Sequence, residues 1–362
     1  MKIAFYGSSL LSSYWNGAAT YYRGILHALA REGHAITFYE PDAFDRQQHR
    51  DIDPPDWARS VVYPATEEGL RAVLAEAGEA DIVVKANGVG VFDRELLEGV
   101  IANARSDALR VYWDVDAAAT LDEMEADAGH PVRHALSDLD LVLTYGGGPP
   151  VVEAYRAFGA RACVPIYNAV DPATHFPADP DQAFACDLAF LGNRLPDREA
   201  RVEEFFLKPA SVMSDRDFLI GGSGWETKAM PGNVRHLGHV ATGDHNAFNS
   251  TPLAVLNVAR DSMARVGYSP ATRVFEAAGA GACLITDAWK GVEQFLEPDR
   301  EVLVARDGSD VAEILESLTP ERARAIGAAA CERVRREHSY ALRGKQVDRV
   351  LREAHATARE MA

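Results

Sequence analysis

The chain has 362 residues, enough for two or three domains that each bury a hydrophobic core. Its 47% hydrophobic and 25% charged residues are typical of a globular protein. The net charge of −17 argues against nucleic acid or an anionic membrane as a general partner, because both attract basic surfaces. A small anionic ligand held by a few arginines stays compatible with this charge.

Strand-like apolar runs alternate with helical apolar spacing through the first half of the chain. Strands are predicted at residues 2–6, 34–39, 81–85, 109–113 and 139–145. Helices are predicted at residues 19–32, 67–76, 94–104 and 150–158. This alternation indicates a parallel sheet that is covered by helices on both faces.

The same alternation restarts after residues 165–180, a segment rich in proline and aspartate that is predicted to be a linker. Strands are predicted at residues 188–191, 218–220, 254–257, 282–286 and 302–304, and helices at 198–206, 322–337 and 339–361. We therefore expect an α/β protein with two doubly wound domains that face a cleft. The predicted division is a first domain 1–165, a linker 166–180, a second domain 181–338, and a C-terminal helix 339–362 that packs back on the first domain.

Four widely spaced cysteines form no C-x-x-C pair, so we expect reduced thiols and neither a zinc cage nor a disulfide framework. The first residues read as a strand and a turn and not as a signal peptide. No apolar run approaches the ~20 residues of a membrane span. We expect a cytoplasmic protein without an integral membrane segment.

The predicted strand ends of the first half carry candidate substrate contacts, because ligands of doubly wound sheets bind outside the carboxyl ends of the strands. The loop after the first strand lacks the G-x-G-x-x-G spacing of a dinucleotide site. It is predicted to form either a flexible lip on the acceptor side or a long surface loop. The acceptor-side candidates are Ser8, Ser9, Trp15 and Asn16 in this loop, with Tyr145 and Gly146 after a later strand.

Asp114 and Asp116 follow an apolar strand, so both carboxylates are predicted to face the cleft as catalytic candidates. One of them could accept a proton from an acceptor hydroxyl. A metal site and a helix cap at Asp116 are the alternatives, although no third metal ligand of suitable type lies nearby in the sequence. The glycines that include Gly146 let the backbone approach a ligand, or else form a tight turn before two prolines.

The second half carries glycine-rich or cationic residues at several predicted strand ends. Guanidinium groups and backbone amides suit a diphosphate, so these loops predict a phosphate site. The donor-binding candidates are Gly192, Asn193, Arg194, Arg198, Gly222, Ser223, Gly224, His239, Arg260, Thr272, Arg273 and Glu276. The loop with His239 and His245 could bracket a nucleobase through its backbone, and surface or capping roles are the alternative for both side chains.

Arg273 and Glu276 lie at the start of a helix of very small residues, where free backbone amides favour an anion. Arg273 would contact a phosphate, and Glu276 would bind hydroxyl groups. The alternative is structural, because an arginine and a glutamate three residues apart can pair across one turn. The small residues could likewise serve only close packing.

The motif Ser269-Pro-x-x-Arg273-Val-Phe-Glu276-Ala-Ala-x-x-Gly281, with Leu284-Ile-Thr-Asp287 and Trp289-x-Gly291 after it, resembles GT-B glycosyltransferases. It is most similar to their CgeB-like, spore-maturation-type branch with a group-1-like glycosyltransferase domain. Asn168-Ala-Val-Asp171-Pro also resembles the N-x-V-D segment that joins the two domains in related transferases.

This resemblance implies a GT-B fold and the transfer of a sugar from a nucleoside-diphosphate sugar to an acceptor held mainly by the N-terminal domain. A UDP-sugar is the first expectation, with GDP- and TDP-sugars as alternatives. Glu276 would hold the donor ribose and Arg273 the diphosphate. No bound metal or other cofactor is expected, because cationic side chains and a helix N-terminus offset the charge of the leaving diphosphate.

One departure limits what the resemblance implies. Many retaining relatives carry two glutamates eight residues apart, whereas Tyr268 stands eight residues before Glu276. The stereochemical outcome is therefore not predicted, and the acceptor is open among a small molecule, a glycan and a protein. The alternatives are a nucleotide-sugar epimerase or hydrolase on the same fold, and a non-catalytic nucleotide-sugar-binding protein.

Overall fold

The computed structural model describes residues 1–14 and 16–361 and divides into two compact units. The first unit comprises Met1–Tyr167 and Tyr340–Ala362, and the second comprises Asn168–Ser339. Among the described residues, no helix combines the length and the apolar character that crossing a bilayer requires.

The first unit is built on a parallel sheet. Its strands are β1 (Lys2–Tyr6), β2 (Ala35–Asp42), β3 (Ala58–Pro64), β4 (Ile82–Ala86), β5 (Leu109–Asp114), β6 (Leu141–Thr144) and β7 (Cys163–Pro165). They lie in the order β3-β2-β1-β4-β5-β6-β7, and each neighbouring pair is parallel. The aromatic rings of Phe5, Tyr22, Phe38 and Trp113 pack together in the core.

Helices connect these strands. They are α1 (Ala19–Arg31), α2 (Glu67–Ala75), α3 (Asp93–Asn103), α4 (Ala117–Ala126), α5 (Pro131–Ala135) and α6 (Gly148–Ala157). Thr66 caps α2, because its side chain accepts a hydrogen bond from the Gly69 amide.

The second unit is built on another parallel sheet. Its strands are β8 (Leu188–Leu191), β9 (Phe218–Gly221), β10 (Val234–Gly238), β11 (Ala254–Asn257), β12 (Leu284–Asp287) and β13 (Leu303–Ala305). Their order is β10-β9-β8-β11-β12-β13. This order repeats β3-β2-β1-β4-β5-β6 of the first unit, so β12 occupies the position that β5 occupies there.

The helices of the second unit cover its sheet. They are α7 (Pro196–Val202), α8 (Lys208–Val212), α9 (His245–Ser250), α10 (Asp261–Val266), α11 (Thr272–Gly279), α12 (Gly308–Ser317) and α13 (Pro320–Glu337), with a π-helical segment Glu203–Leu207 between α7 and α8. Phe190, Phe206, Phe218 and Trp225 are buried in the core of this unit.

The last helix, α14 (Tyr340–Met361), belongs to the first unit and packs on α1. The two helices approach closely at glycines. A Cβ on Gly24 would lie 2.4 Å from the Tyr340 ring, and one on Gly344 would lie 2.4 Å from the Cβ of Ala28. Side chains larger than hydrogen at these positions would push the helices apart.

The structure adds three strands that are absent from the predicted set, β3 and β7 in the first sheet and β10 in the second. All three lie at sheet edges and are only partly buried. An edge strand needs no continuous apolar run, because part of its surface meets solvent. The apolar-run criterion therefore fails for them.

Candidate functional site

Two strand-end loops of the second unit, residues 192–194 and 221–224, are joined by their backbones. The Gly192 amide donates to the carbonyl of Gly221 at 2.9 Å, and the Ser223 amide donates to Oδ1 of Asn193 at 3.0 Å. Gly222 has a φ of +120°, and a Cβ there would lie 2.3 Å from the carbonyl oxygen of Gly192. Only glycine fits this approach. The predicted residues Gly192, Asn193, Gly222 and Ser223 are thus brought together, and the Asn193 side chain holds the loops.

Arg194 follows these loops but is paired with a carboxylate. Its guanidinium donates to both oxygens of Glu199, at 2.7 and 2.9 Å. These hydrogen bonds, with those from Lys228, lower the pKa of Glu199 to about 2. Gly224, which has a φ of +90°, packs directly against Arg194. A phosphate would have to compete with Glu199 for Arg194.

Arg198 lies in α7 and has incomplete hydrogen bonding. Its Nη2 atom donates to the Asn193 carbonyl at 2.6 Å, whereas its Nε atom is buried without a partner among the described residues. Burial, together with the positive charges of Arg273 and Arg260, lowers the pKa of Arg198 to about 10, although the charge of Asp197 opposes this shift. Arginines that repel each other where they are largely shielded from solvent provide a site for an anion.

Arg273 lies in the first turn of α11. Among residues 1–14 and 16–361, its guanidinium has neither a hydrogen bond nor an ion pair, although it is partly buried. Burial lowers the pKa of Arg273, and the charge of Glu276 opposes this shift. Thr272 beside it accepts a hydrogen bond from Asn168 at 3.2 Å. Unused guanidinium donors at a helix N-terminus suit a phosphate.

Glu276 has two histidine neighbours in the second unit. Nε2 of the buried His175 lies 3.7 Å from Oε1 of Glu276. Burial lowers the pKa of His245, while the charge of Glu276 raises it. The sequence did not suggest His175, which lies in the predicted linker, and it suggested only a surface or capping role for His245. The predicted residue His239 is exposed.

The small residues of α11 serve packing. A Cβ on Gly279 would lie 2.5 Å from the Val170 side chain, and one on Gly327 of α13 would lie 2.1 Å from the Gly281 carbonyl. The helix therefore has a tightly packed face of small residues as well as the side chains of Arg273 and Glu276. The packing interpretation holds for the small residues, and Arg273 and Glu276 form no ion pair within 4.0 Å.

Arg260 follows a loop anchored by the buried carboxylate of Asp287. Both oxygens of Asp287 accept from the Ala259 amide at 3.1 Å, and Arg201 donates to Oδ2 at 2.5 Å. Arg260 itself pairs with Asp197 of α7. Burial raises the pKa of Asp287, while Arg201 lowers it.

Asp114, one of the two predicted catalytic carboxylates, differs from expectation because it is fully buried. Tyr155 donates to Oδ2, while the Thr120 hydroxyl at 3.1 Å and the Asp116 amide at 2.9 Å donate to Oδ1. Burial raises the pKa of Asp114 to about 6. Its carboxylate is enclosed by the protein and is not presented to a ligand. Asp116 is partly exposed and lines a cavity in the first unit.

The loop after β1, which carries four of the acceptor-side candidates, is held by hydrogen bonds and does not form the flexible lip that the sequence suggested. Ser8, Ser9 and Asn16 are buried, and their side chains bond within the loop or to the buried carboxylate of Glu40. Residues 8–12 thus form a braced turn, because Glu40 also accepts from the backbone amides of Leu10 and Leu11. Trp15 lies outside the described residues.

The remaining acceptor-side candidates follow β6. The Tyr145 amide donates to the carbonyl of Asp114 at 2.9 Å, and the buried Gly146 accepts from the Thr144 hydroxyl at 3.0 Å. In the part of the chain that the structure describes, no cluster of three or more His, Cys, Asp or Glu side chains is arranged to hold a metal ion.

Comparison with known proteins gives a family match and several similar folds. Residues 198–349 match the family model described as "Glycosyl transferase-like". This segment contains Arg198, Arg260, Arg273 and Glu276. A sequence search of curated proteins finds no match.

Solved structures are similar over nearly the whole chain. Sucrose-phosphate synthase from Thermosynechococcus elongatus is 14% identical with a TM-score of 0.68, over 99% of this chain and 100% of that one. HepE from Anabaena, in complex with UDP-glucose, is 14% identical with a TM-score of 0.69, over 98% and 100%. T4 phage BGT, in complex with its UDP-glucose substrate, is 10% identical with a TM-score of 0.61, over 99% of each chain.

These matches confirm the predicted GT-B fold class, with two parallel-strand sheets and their helices. The family match and the fold together point to a glycosyltransferase.

Proposed function

We propose that this protein transfers a sugar from a UDP-sugar to an acceptor hydroxyl, with its own cationic groups in place of a bound metal ion. The bond between the anomeric carbon and the diphosphate oxygen breaks, and UDP leaves with the electron pair. The anomeric carbon bonds to the acceptor oxygen, and Asp116 accepts the hydroxyl proton. We also infer that the chain belongs to the CgeB-like branch of these transferases. Its cytoplasmic location stays a prediction.

The observation that carries the proposal is the unpartnered guanidinium of Arg273 at the start of α11, with Arg198 as its cationic neighbour. These groups repel each other, and their guanidiniums have donors that the described residues do not use. A diphosphate would satisfy the donors and neutralise the charge, which also offsets the charge of the leaving group in the transition state. Glu276 would accept hydrogen bonds from the ribose hydroxyls.

Two further findings support a UDP-sugar and an acceptor other than DNA. HepE and T4 phage BGT share the fold and are described in complex with UDP-glucose. A DNA-modifying β-glucosyltransferase also shares the fold, but DNA binding depends on basic surface. The net charge of −17 on the present chain therefore favours an uncharged or cationic acceptor.

Ligand affinities in a small set of variants test the donor site. In the wild-type protein we expect UDP to bind more tightly than uridine. Arg273→Gln should weaken UDP binding about tenfold to a hundredfold but leave uridine affinity nearly unchanged, because a charge-assisted phosphate contact is lost. Glu276→Gln should weaken UDP binding but not 2′,3′-dideoxy-UDP binding, because the dideoxy ligand lacks the hydroxyls. Isothermal calorimetry measures both differences.

Arg300→Gln is the control, because Arg300 forms an exposed pair with Glu297 in the same unit. Equal UDP affinity in Arg273→Gln and Arg300→Gln would contradict the diphosphate assignment. Product analysis with UDP-glucose then separates transfer from the epimerase, hydrolase and binding-protein alternatives. A new glycoside that forms only with acceptor supports transfer, whereas an epimerised sugar nucleotide, free glucose alone or no product contradicts it.

A further inference from the structure

The first unit contains a cavity of about 310 Å³ that the sequence did not suggest. It lies where β4 and β5 end, beside α3, α4 and α5. Charged and hydrogen-bonding side chains form much of its wall. The lining residues used below are Lys85, Asn87, Asp116, Ala119, Thr120 and His130.

Lys85 brings a buried ammonium group to this cavity. It is 3% exposed, and its Nζ atom donates to Oδ1 of Asp93 at 2.5 Å. Asp93 is held in place because it accepts from the Gly90 amide at 2.7 Å. Among the described residues Asp93 is the hydrogen-bond partner of Lys85, whereas an ammonium group can donate three bonds. Donors are therefore left for a ligand.

Helix α4 and the residue at its N-cap, Asp116, supply the facing groups. Asp116, Thr120 and Glu123 recur every three or four residues and line the cavity together. Asn87 donates to the Thr120 hydroxyl at 3.2 Å and accepts from the Val115 amide at 3.1 Å, which fixes its orientation. His130 lies 3.4 Å from Glu123, and its buried Nδ1 atom has no partner within residues 1–14 and 16–361.

We propose that this cavity binds the acceptor as a compact polyhydroxylated ring: a free monosaccharide or cyclitol, or the terminal sugar of a glycan. The proposal rests on the transferase function proposed above and names its acceptor class. Hydroxyl groups both donate and accept, so one ring can accept from the unused donors of Lys85 and donate to a carboxylate oxygen of the cavity wall, such as one of Asp116.

Polarity and size exclude other acceptors from this cavity. An acyl chain would bury Lys85 and Asn87 against hydrocarbon, and unsatisfied buried polar groups are costly. Ligand pockets span about 300–1,000 Å³, so this cavity is at the small end of the range. It suits one ring and not a folded peptide segment.

Filling the cavity is the direct test. Ala119 lines it, and Ala119→Phe would occupy the space of the ligand. Ala126→Phe is the matched control, because Ala126 is exposed at the end of the same helix. The probes are D-glucose, N-acetyl-D-glucosamine, myo-inositol and maltotriose, and saturation-transfer NMR measures their binding to the full chain. Monosaccharide and cyclitol binding indicates a free acceptor, whereas binding of maltotriose alone indicates a glycan end.

We expect at least one probe to bind the wild-type protein and Ala126→Phe equally, and to bind Ala119→Phe about tenfold more weakly or not at all. Lys85→Met should also weaken that probe about tenfold, because it removes the buried donors. The proposal is overturned if no probe binds the wild type, or if Ala119→Phe matches Ala126→Phe. UDP affinity, measured on the same samples, tests the donor site separately, so either proposal can fail alone.

Discussion

The two units place an aspartate at the same point of the same strand order and satisfy it differently. Asp114 ends β5, and Asp287 ends β12. Both are fully buried, but the side-chain donors to Asp114 are the hydroxyls of Tyr155 and Thr120, whereas Asp287 accepts from the guanidinium of Arg201. The sequence suggested catalysis for Asp114, whose carboxylate accepts from the backbone of the loop after its own strand, whereas Asp287 accepts from the loop after the neighbouring strand β11.

An aspartate at a strand end is therefore not by itself a sign of catalysis. A buried carboxylate needs donors, and loop amides such as those of Asp116 and Ala259 supply them. The two carboxylates differ in the charge of their side-chain partners. Asp114 has neutral partners, and Asp287 has the cation Arg201. That difference predicts unequal responses to mutation and to pH.

Removing the negative charge of each carboxylate should cost unequal amounts of stability, because the two carboxylates have different partners. Asp287→Asn removes the buried carboxylate partner of Arg201, which then faces only the exposed Asp261 at 3.8 Å among the described residues, and should lower the free energy of unfolding by about 3 kcal/mol. Asp114→Asn weakens the hydrogen bonds that neutral donors give to this carboxylate and should cost about 1–2 kcal/mol. Urea unfolding measures both variants. A larger loss for Asp114→Asn would invert the comparison.

The next effect is a pH dependence carried by Asp114. Burial raises the pKa of Asp114 from 3.8 to about 6, so the folded state keeps a proton that the unfolded state has lost. The bound proton therefore stabilises the folded state below about pH 4. As the pH rises from about 4 to about 6, this contribution to the free energy of unfolding falls by about 2 kcal/mol. The difference in unfolding free energy between the wild type and Asp114→Asn should therefore become smaller as the pH rises over this range. Parallel stability curves for the two proteins would contradict the assignment.

The smallest effect extends the comparison to arginines. Arg201 has a buried carboxylate partner, whereas Arg273 has no ion pair among the described residues. Arg273→Met should therefore change the free energy of unfolding of the ligand-free protein by less than about 0.5 kcal/mol, and Arg201→Met should cost several times more. Thermal unfolding of both variants without nucleotide measures this. Equal losses would mean that Arg273 has a structural role.

The sequence predicted buried strands well because their apolar runs are continuous. The strands Lys2–Tyr6, Leu188–Leu191 and Ala254–Asn257 match the structure residue for residue. The edge strands β3 and β7 were missed because pairing with a neighbour, and not a run of apolar residues, makes them strands.

The site was predictable where it follows from local sequence. Arg273 and Glu276 are signalled by a helix start and a motif, but the contact of His175 with Glu276 joins distant segments and has no local signal. The pair of Lys85 with Asp93 depends on the position of α3 beside β4, so the charged cavity could not be inferred from an apolar strand that ends in lysine. The burial of Asp114 is likewise set by Tyr155, which lies on α6.

The close packing of α1 on α14 sets the order in which the chain can complete its fold during synthesis. Helix α1 is made before the second unit, whereas its partner α14 is translated after that unit. The surface around Gly24 and Ala28 therefore stays uncovered until the whole second unit has been made. Domains usually finish folding from the N-terminus onward, but here the inserted second unit can finish first. A ribosome that stalls before residue 340 would leave a first unit without its closing helix.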